Sequence, residues 1–161
     1  MVSCDAHSQM KEKGDIFVKQ LFKSLQSGDK NEFLKLMPDY EVYKKIIFPF
    51  DSANQVKKRA TDIRIMSKEE YEQGINREMV TYFTDYLKEG ESNGFNWKEA
   101  KLIHFSIEIS KIGTQPLEVI SLNGKLELTF GNKECTVVFE DAMWAKTDWV
   151  GIGLIAQPII K

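Results

Sequence analysis

The sequence predicts an α+β fold, in which N-terminal helices pack on an antiparallel sheet formed by the C-terminal part of the chain. From Asp15 to Gly90, apolar residues recur every three or four positions, as on one face of a helix. From Lys101 to Lys161, apolar and polar residues alternate, which places every second side chain on one face of a sheet. We find no linker, repeat or low-complexity segment, so we expect a single domain over residues 11–161.

The predicted helices have recognisable ends. Gly28 is a typical residue after a helix, and Ser67 with Glu70 forms a capping box that opens the longest helix. The segment 51–66 carries a weaker helical pattern with a basic face. The predicted helices are therefore Asp15 to Gly28, Asp29 to Pro38, Asp39 to Ile47 and Ser67 to Gly90.

The predicted sheet has four long strands, and its second strand passes straight through Asn123-Gly124. That dipeptide often forms a hairpin turn. A turn here, however, would place Lys125, Glu127 and Thr129 on the apolar face. Turns near Asn132-Lys133 and Thr147-Asp148 pair Gly124 with Asp141 and Asp141 with Leu154. This register predicts one apolar face, on which Asp141 is the charged exception and to which the first strand contributes Ile103, Phe105, Ile107 and Ile109.

The composition of the chain argues against nucleic-acid binding, a membrane span and a metal site. The chain has 161 residues, of which 42% are hydrophobic, and a net charge of −2, so neither nucleic acid nor an anionic membrane is an expected partner. No apolar run is long enough to span a bilayer. Cys135 falls on the apolar face and is expected to be a core residue. Two cysteines and two distant histidines predict no metal site, and no cofactor is expected.

The first residues allow two interpretations. Cys4 follows Met1-Val2-Ser3 as a lipidated cysteine follows a lipoprotein signal, and Ala6-His7-Ser8 has the small-x-small pattern of a cleavage site. We favour an exported protein of the cell envelope or periplasm; a cytoplasmic protein with an ordinary tail is the alternative. Residues 1–10 are expected to be a disordered tail or a signal-peptide remnant.

Three segments carry a resemblance to a known superfamily. They are Phe33–Pro38 followed by Tyr40 and Tyr43, Gly94–Trp97 before the first strand, and Asp148–Ile152 near the end. With the order of elements, they resemble the NTF2-like, cystatin-like superfamily, and more closely small exported Bacteroidetes proteins of unknown function. The resemblance implies helices on the concave face of a curved four-stranded sheet, and a homodimer through its outer face. The superfamily contains isomerases, dehydratases and binding domains, so fold alone does not choose among them.

Asp141 is the candidate for chemistry. A carboxylate on an apolar face must find donors, face a wet cavity or keep its proton. Ketosteroid isomerase, a member of this superfamily, uses acids in such a pocket. With Tyr82 and Tyr86 as nearest partners, Asp141 would be a general acid or base, or an anchor for a ligand. Phe139 and Met143 flank it on the strand. The structural alternative places Asp141 at the rim of the sheet, where it accepts backbone hydrogen bonds.

Two tryptophans are predicted on the polar face of the sheet. Trp144 would lie opposite Gly151, where an aromatic ring can cover a cross-strand glycine. Exposed tryptophans can also mark an interface, and Trp144 and Trp149 are therefore the candidates for a homodimer contact. The polar residues around them are equally compatible with a monomer.

Two functions follow from these observations. The first is a non-catalytic domain of the cell envelope that binds a small molecule or a protein partner. The alternative is a small-molecule isomerase or dehydratase that uses Asp141 in an apolar pocket. A purely structural accessory domain is a third hypothesis. An open cavity that reaches Asp141 would favour the enzyme.

Overall fold

The chain is α+β, as predicted. A computed structural model describes residues 4–49, 66–113, 118–145, 147–151, 154–155 and 158–161, so the weak helix predicted over 51–66 lies almost wholly outside the described residues. The helices are α1 (Cys4–Ser27), α2 (Lys30–Leu34), α3 (Tyr40–Val42), which continues into a π-helical turn (Tyr43–Ile47), and α4 (Lys68–Ser92). A short 3-10 turn (Trp97–Glu99) leads to β1 (Lys101–Ile112), β2 (Val119–Phe130), β3 (Lys133–Ala145), β4 (Asp148–Val150), β5 (Leu154–Ile155) and β6 (Ile159–Ile160). None of the helices in the described ranges could cross a membrane.

The sheet is antiparallel, and its order is β1-β2-β3-β4. The predicted long fourth strand is instead divided into β4, β5 and β6, each of which pairs with a different part of β3. The prediction that Asn123-Gly124 lies inside a strand is confirmed, because β2 runs unbroken through it. The turn after β2 lies at Gly131-Asn132, so Leu126 pairs with Val137. That register differs by two residues from the predicted one and leaves the faces unchanged.

Two bulges interrupt the ladders. On β1, Ile103 is an extra residue between the pairs Leu102–Leu128 and His104–Glu127. Its side chain is 63% exposed, so its predicted place on the apolar face is wrong. On β3, the register shifts between Gly124–Phe139 and Leu122–Ala142, which leaves two residues of β3 opposite one residue of β2. Each bulge reverses the faces of the residues beyond it.

Helix α1 begins at Cys4, far earlier than the sequence pattern indicated. Met10 is only 7% exposed, and its carbonyl accepts a hydrogen bond of 2.8 Å from the Trp149 indole N–H. A Cβ on Gly14 would lie 2.8 Å from Ile107 Cδ1, so the helix passes very close to the sheet there. The disordered tail expected over residues 1–10 is therefore helical from Cys4 onward, and these tertiary contacts are the reason. Lipidation of Cys4 stays a prediction.

The core joins both layers of the domain. The rings of Phe17 on α1 and Phe139 on β3 lie 5.7 Å apart, and those of Phe33 on α2 and Phe83 on α4 stack at 4.4 Å. The predicted capping box opens α4, since the Ser67 hydroxyl accepts from the backbone N–H of Glu70, whose carboxylate accepts from the N–H of Ser67. Helix α4 is thereby positioned with its inner face on the core. The outer edge of α4 lines a groove.

Candidate functional site

Asp141 does not lie in an apolar pocket. Its side chain is exposed, its φ is +59°, and its backbone N–H donates a hydrogen bond of 2.8 Å to Asn123 Oδ1. The predicted apolar face for Asp141 is wrong because Asp141 is one of the two residues of the β3 bulge, where its side chain points outward. Phe139 on the other side of the bulge is fully buried, and Met143 is half-buried. Asp141 is therefore exposed to solvent, whereas its neighbour Phe139 belongs to the core.

The conformation of Asp141 makes a prediction about stability. Aspartate accepts a left-handed backbone more readily than other residues, whereas a β-branched residue at positive φ is strained. We expect Asp141→Val to lower the free energy of unfolding by about 1–2 kcal/mol, and Asp141→Gly to leave it equal or slightly higher. Urea unfolding of both variants measures the difference. If the two variants were equally stable, the bulge would not hold residue 141 at positive φ.

The two tryptophans face the core rather than the outer surface. Beyond the β3 bulge the faces are reversed, so Trp149 is 4% exposed and Trp144 is half-buried, with ring centroids 5.1 Å apart. The predicted outward position of Trp149 is therefore wrong. Trp144 pairs with Trp149 and not with Gly151. A cross-strand glycine that an aromatic ring does cover is Gly124 on β2, under Phe139 of β3. A homodimer through the outer face stays a prediction without these two rings.

A groove of about 490 Å³ runs along α4 and is also lined by Pro158, immediately before β6. It is amphiphilic, with two aromatic rings, three carboxylates and one guanidinium. Its α4 residues recur at helical spacing and so share one side of the helix. The described residues that line it are Arg77, Glu78, Thr81, Tyr82, Asp85, Tyr86, Glu89 and Pro158.

Tyr86 is the unusual residue of this groove. Its side chain is 5% exposed, and its hydroxyl has no hydrogen-bond partner among the described residues. Burial, with Cys135 and Tyr82 nearby, raises the pKa of the Tyr86 hydroxyl above its ordinary value, so the group stays neutral. Buried polar groups are nearly always paired. The Tyr86 hydroxyl is therefore an unusual group: it is buried and unpaired, on a residue that also lines the groove.

Cys135 lies on β3 and, as predicted, is a core residue, 1% exposed. Burial raises the pKa of its thiol to about 12, so it is almost entirely protonated at neutral pH. A reactive cysteine needs a lowered pKa and exposure. In the described parts of the chain, no group of His, Cys, Asp and Glu residues is arranged to hold a metal ion.

Of the predicted pocket residues, the structure brings Tyr82 and Tyr86 together and leaves Asp141, Phe139 and Met143 outside the groove. The three carboxylates of the groove were missed. Glu78, Tyr82, Asp85 and Glu89 follow one another at intervals of four, three and four residues, which is a helical stripe in the sequence itself. This stripe of acids beside a tyrosine is the sequence pattern from which the groove residues could have been predicted. On its own it is equally typical of a solvated helix face.

Comparisons of the chain with protein-family models, curated proteins and solved structures find no match.

Proposed function

We propose that this protein is a non-catalytic domain that binds a small molecule in the groove along α4. The observation that carries the proposal is the groove itself, whose lining includes Tyr86, a residue with a buried hydroxyl that has no partner among the described residues. An unpaired buried hydroxyl costs about 1–3 kcal/mol. A ligand that hydrogen-bonds to it recovers part of that cost as binding energy.

The size and lining of the groove support the same function. Small-molecule sites are concave, enclose about 300–1,000 Å³ and combine apolar surface with a few placed polar groups. The tyrosine rings and Pro158 supply the apolar surface, while Thr81 and the charged residues supply polar groups at its edge. The enzyme hypothesis required Asp141 in an apolar pocket, and the exposed position of Asp141 removes that premise. We therefore do not assign a reaction.

The proposal also includes the kind of fold and the cellular location. Helices followed by an antiparallel sheet, with core residues from both, support an NTF2-like or cystatin-like architecture. Ligand binding without catalysis agrees with the binding domains of that superfamily.

Export to the cell envelope rests on Cys4 and on Ala6-His7-Ser8. Mass spectrometry of the mature N-terminus, isolated from its native cell, tests it: an unprocessed and unlipidated chain in the cytosol would contradict export.

Substituting Tyr86 separates its structural cost from its binding role. We expect Tyr86→Phe to raise the free energy of unfolding of the ligand-free protein by about 1 kcal/mol, because the unpaired buried hydroxyl is removed and the ring is kept. Chemical denaturation measures the change. The matched control is Tyr71→Phe, which removes a hydroxyl that donates 2.8 Å to the Pro38 carbonyl and should lower stability. A Tyr86→Phe protein less stable than the parent would show that the hydroxyl is paired.

A screen of metabolite-sized compounds by NMR tests the binding function. We expect hits to shift the backbone amides of residues 77–89, and to bind more weakly to Tyr86→Phe than to the parent protein. Weakening on loss of one hydrogen bond should be about five- to ten-fold. If all hits shift other regions of the chain, or if Tyr86→Phe binds them equally well, the groove is not the binding site.

A further inference from the structure

We propose that this protein forms a homodimer in which the edge strand β1 pairs antiparallel with β1 of a second copy, about a twofold axis at Ser106. Three features of β1 carry the inference: its open backbone edge, its half-buried apolar side chains and a polar pattern that is complementary to itself. The inference is separate from the proposed function, because the α4 groove borders β6 and β1 lies at the opposite edge of the sheet.

The two edges of the sheet differ in length. Beyond β3 the sheet ends in three short strands of three, two and two residues, and such short pieces offer little backbone to another strand. At the other edge lies β1, which has 12 residues and pairs only with β2 among the described strands. Every second residue of β1 therefore presents its N–H and C=O away from the sheet. This row of backbone groups can pair with one more strand.

The centre of β1 lacks the features that usually protect an edge. Natural edge strands are protected by lysine, proline or a bulge. On β1 these features lie toward the ends: Lys101 and the bulge at Ile103 at the start, and Lys111 at the finish. The stretch 104–110 between them contains none of the three. A second strand can therefore pair along this central stretch.

The inner side chains of the same stretch are incompletely covered. Phe105, Ile107 and Ile109 pack against the core but are only half-buried. Their neighbours on β2, Leu126 and Leu122, are 0% exposed. A second β1 would place Phe105 beside Ile107 of the other copy and so add apolar contact along this edge.

The outer side chains indicate that the partner is a second copy. His104, Ser106 and Glu108 alternate on the outer face, and all three are exposed. A twofold axis at Ser106 places His104 of each copy opposite Glu108 of the other. An imidazole N–H can donate to a carboxylate, so both cross-strand pairs are favourable. Within its own sheet Glu108 lies opposite Asn123, and it has no ion pair in the described ranges.

Symmetry restricts the register of such a dimer. Inner side chains must meet inner side chains, so the axis has to pass through a residue and not between two residues. An axis at Ile107 would place His104 opposite Ser110, and an axis at Glu108 would bring two carboxylates together. The axis at Ser106 pairs each imidazole with a carboxylate. A twofold contact of this kind closes at two copies, because both use the same surface.

Sedimentation equilibrium measures the dimer. We expect the average mass to rise toward twice that of the chain as the concentration is raised from about 5 to 500 µM, with a Kd of about 10–100 µM, as for a small interface. Hydrogen exchange of residues 104–108 should slow over the same range. A chain that stays monomeric at the highest concentration overturns the proposal.

Two charge variants test the register. We expect Glu108→Lys and His104→Glu each to weaken self-association at least about ten-fold, because the first loses both imidazole–carboxylate pairs and the second brings carboxylates together. Mixed in equal amounts, they should associate about as tightly as the parent protein. The new lysine of one copy then lies opposite the new glutamate of the other, and His104 of the first faces Glu108 of the second.

The matched control is Glu134→Lys, the same charge change at an exposed position on β3, two strands away from the edge. This variant should dimerise like the parent protein. Circular dichroism and thermal melting confirm that each variant is folded.

Two further outcomes would overturn the proposal. If Glu134→Lys dissociates the dimer and Glu108→Lys does not, the copies meet through the outer face of the sheet and not through its edge. If folded Glu108→Lys and His104→Glu proteins fail to associate when mixed, the pairing about Ser106 is wrong. Both outcomes leave the α4 groove untouched, since the compound screen tests it independently.

Discussion

Replacing Trp149 with alanine should lower the free energy of unfolding by about 3–5 kcal/mol. The side chain is 4% exposed, its ring packs edge-on against Trp144, and its indole nitrogen donates to the Met10 carbonyl at 2.8 Å. The substitution leaves a cavity between β4 and α1 and removes the hydrogen bond that the indole donates to that carbonyl. Equilibrium unfolding in urea measures the total loss. Trp149→Phe keeps most of the ring and should cost about 1–2 kcal/mol, chiefly for the hydrogen bond.

The effect should be concentrated at the start of α1. Hydrogen exchange in Trp149→Ala should rise most in residues 4–14, because Met10 loses its hydrogen bond with the tryptophan and α1 loses its packing beside Gly14. The control is Asp148→Asn next to it. Asp148 pairs with Lys13 at 2.9 Å, but its side chain is 59% exposed, so the loss should be below about 1 kcal/mol. If Trp149→Ala were as mild as Asp148→Asn, Trp149 would not anchor the first helix.

Substituting alanine for two glycines of α4 should have opposite effects. A Cβ on Gly90 would lie 2.6 Å from Trp97 Cε2 and still closer to Trp97 Cζ2, inside the ring. The helix can keep this contact only without a side chain at position 90. We expect Gly90→Ala to lower the free energy of unfolding by about 1–3 kcal/mol through overpacking, despite the better helix propensity of alanine.

Gly74 is the matched control because it lies in the same helix with no atom within 4 Å of an added Cβ. Gly74→Ala should raise the free energy of unfolding by about 0.5–1 kcal/mol, since alanine restricts the unfolded chain and favours the helix. Thermal melts of the two variants give the comparison. A stabilised Gly90→Ala protein would contradict the close contact of α4 with Trp97.

This contact connects the fold to the groove. The Trp97 ring lies 5.7 Å from that of Tyr86, and its indole N–H donates 2.9 Å to the Leu87 carbonyl. Trp97 therefore positions the C-terminal half of α4, which includes the groove residues Tyr86 and Glu89. We expect a destabilised Gly90→Ala protein to bind groove ligands more weakly as well, while Gly74→Ala binds normally.

Local patterns in the sequence determined the element types. Alternation over residues 101–161 predicted the strands, the Ser67–Glu70 capping box predicted the start of α4, and the alternation around Asn123-Gly124 correctly outweighed the usual turn preference of that dipeptide. These signals depend on neighbours within a few positions. They are therefore present in the chain before any tertiary contact forms. Tyr82 and Tyr86 were also named from the sequence, but as partners of Asp141 and not as residues of this groove.

The tertiary structure alone decided which side chains face one another. Alternation assigns a residue to a face only until the next bulge, and the bulges at Ile103 and at Glu140-Asp141 reversed the faces beyond them. The position of the second bulge depends on cross-strand contacts, such as the Asn123 side chain with the Asp141 N–H. The long first helix likewise depends on Trp149, which is distant in sequence from Met10. Such contacts have no local pattern, because the energy that stabilises them is gained only when separate segments pack together.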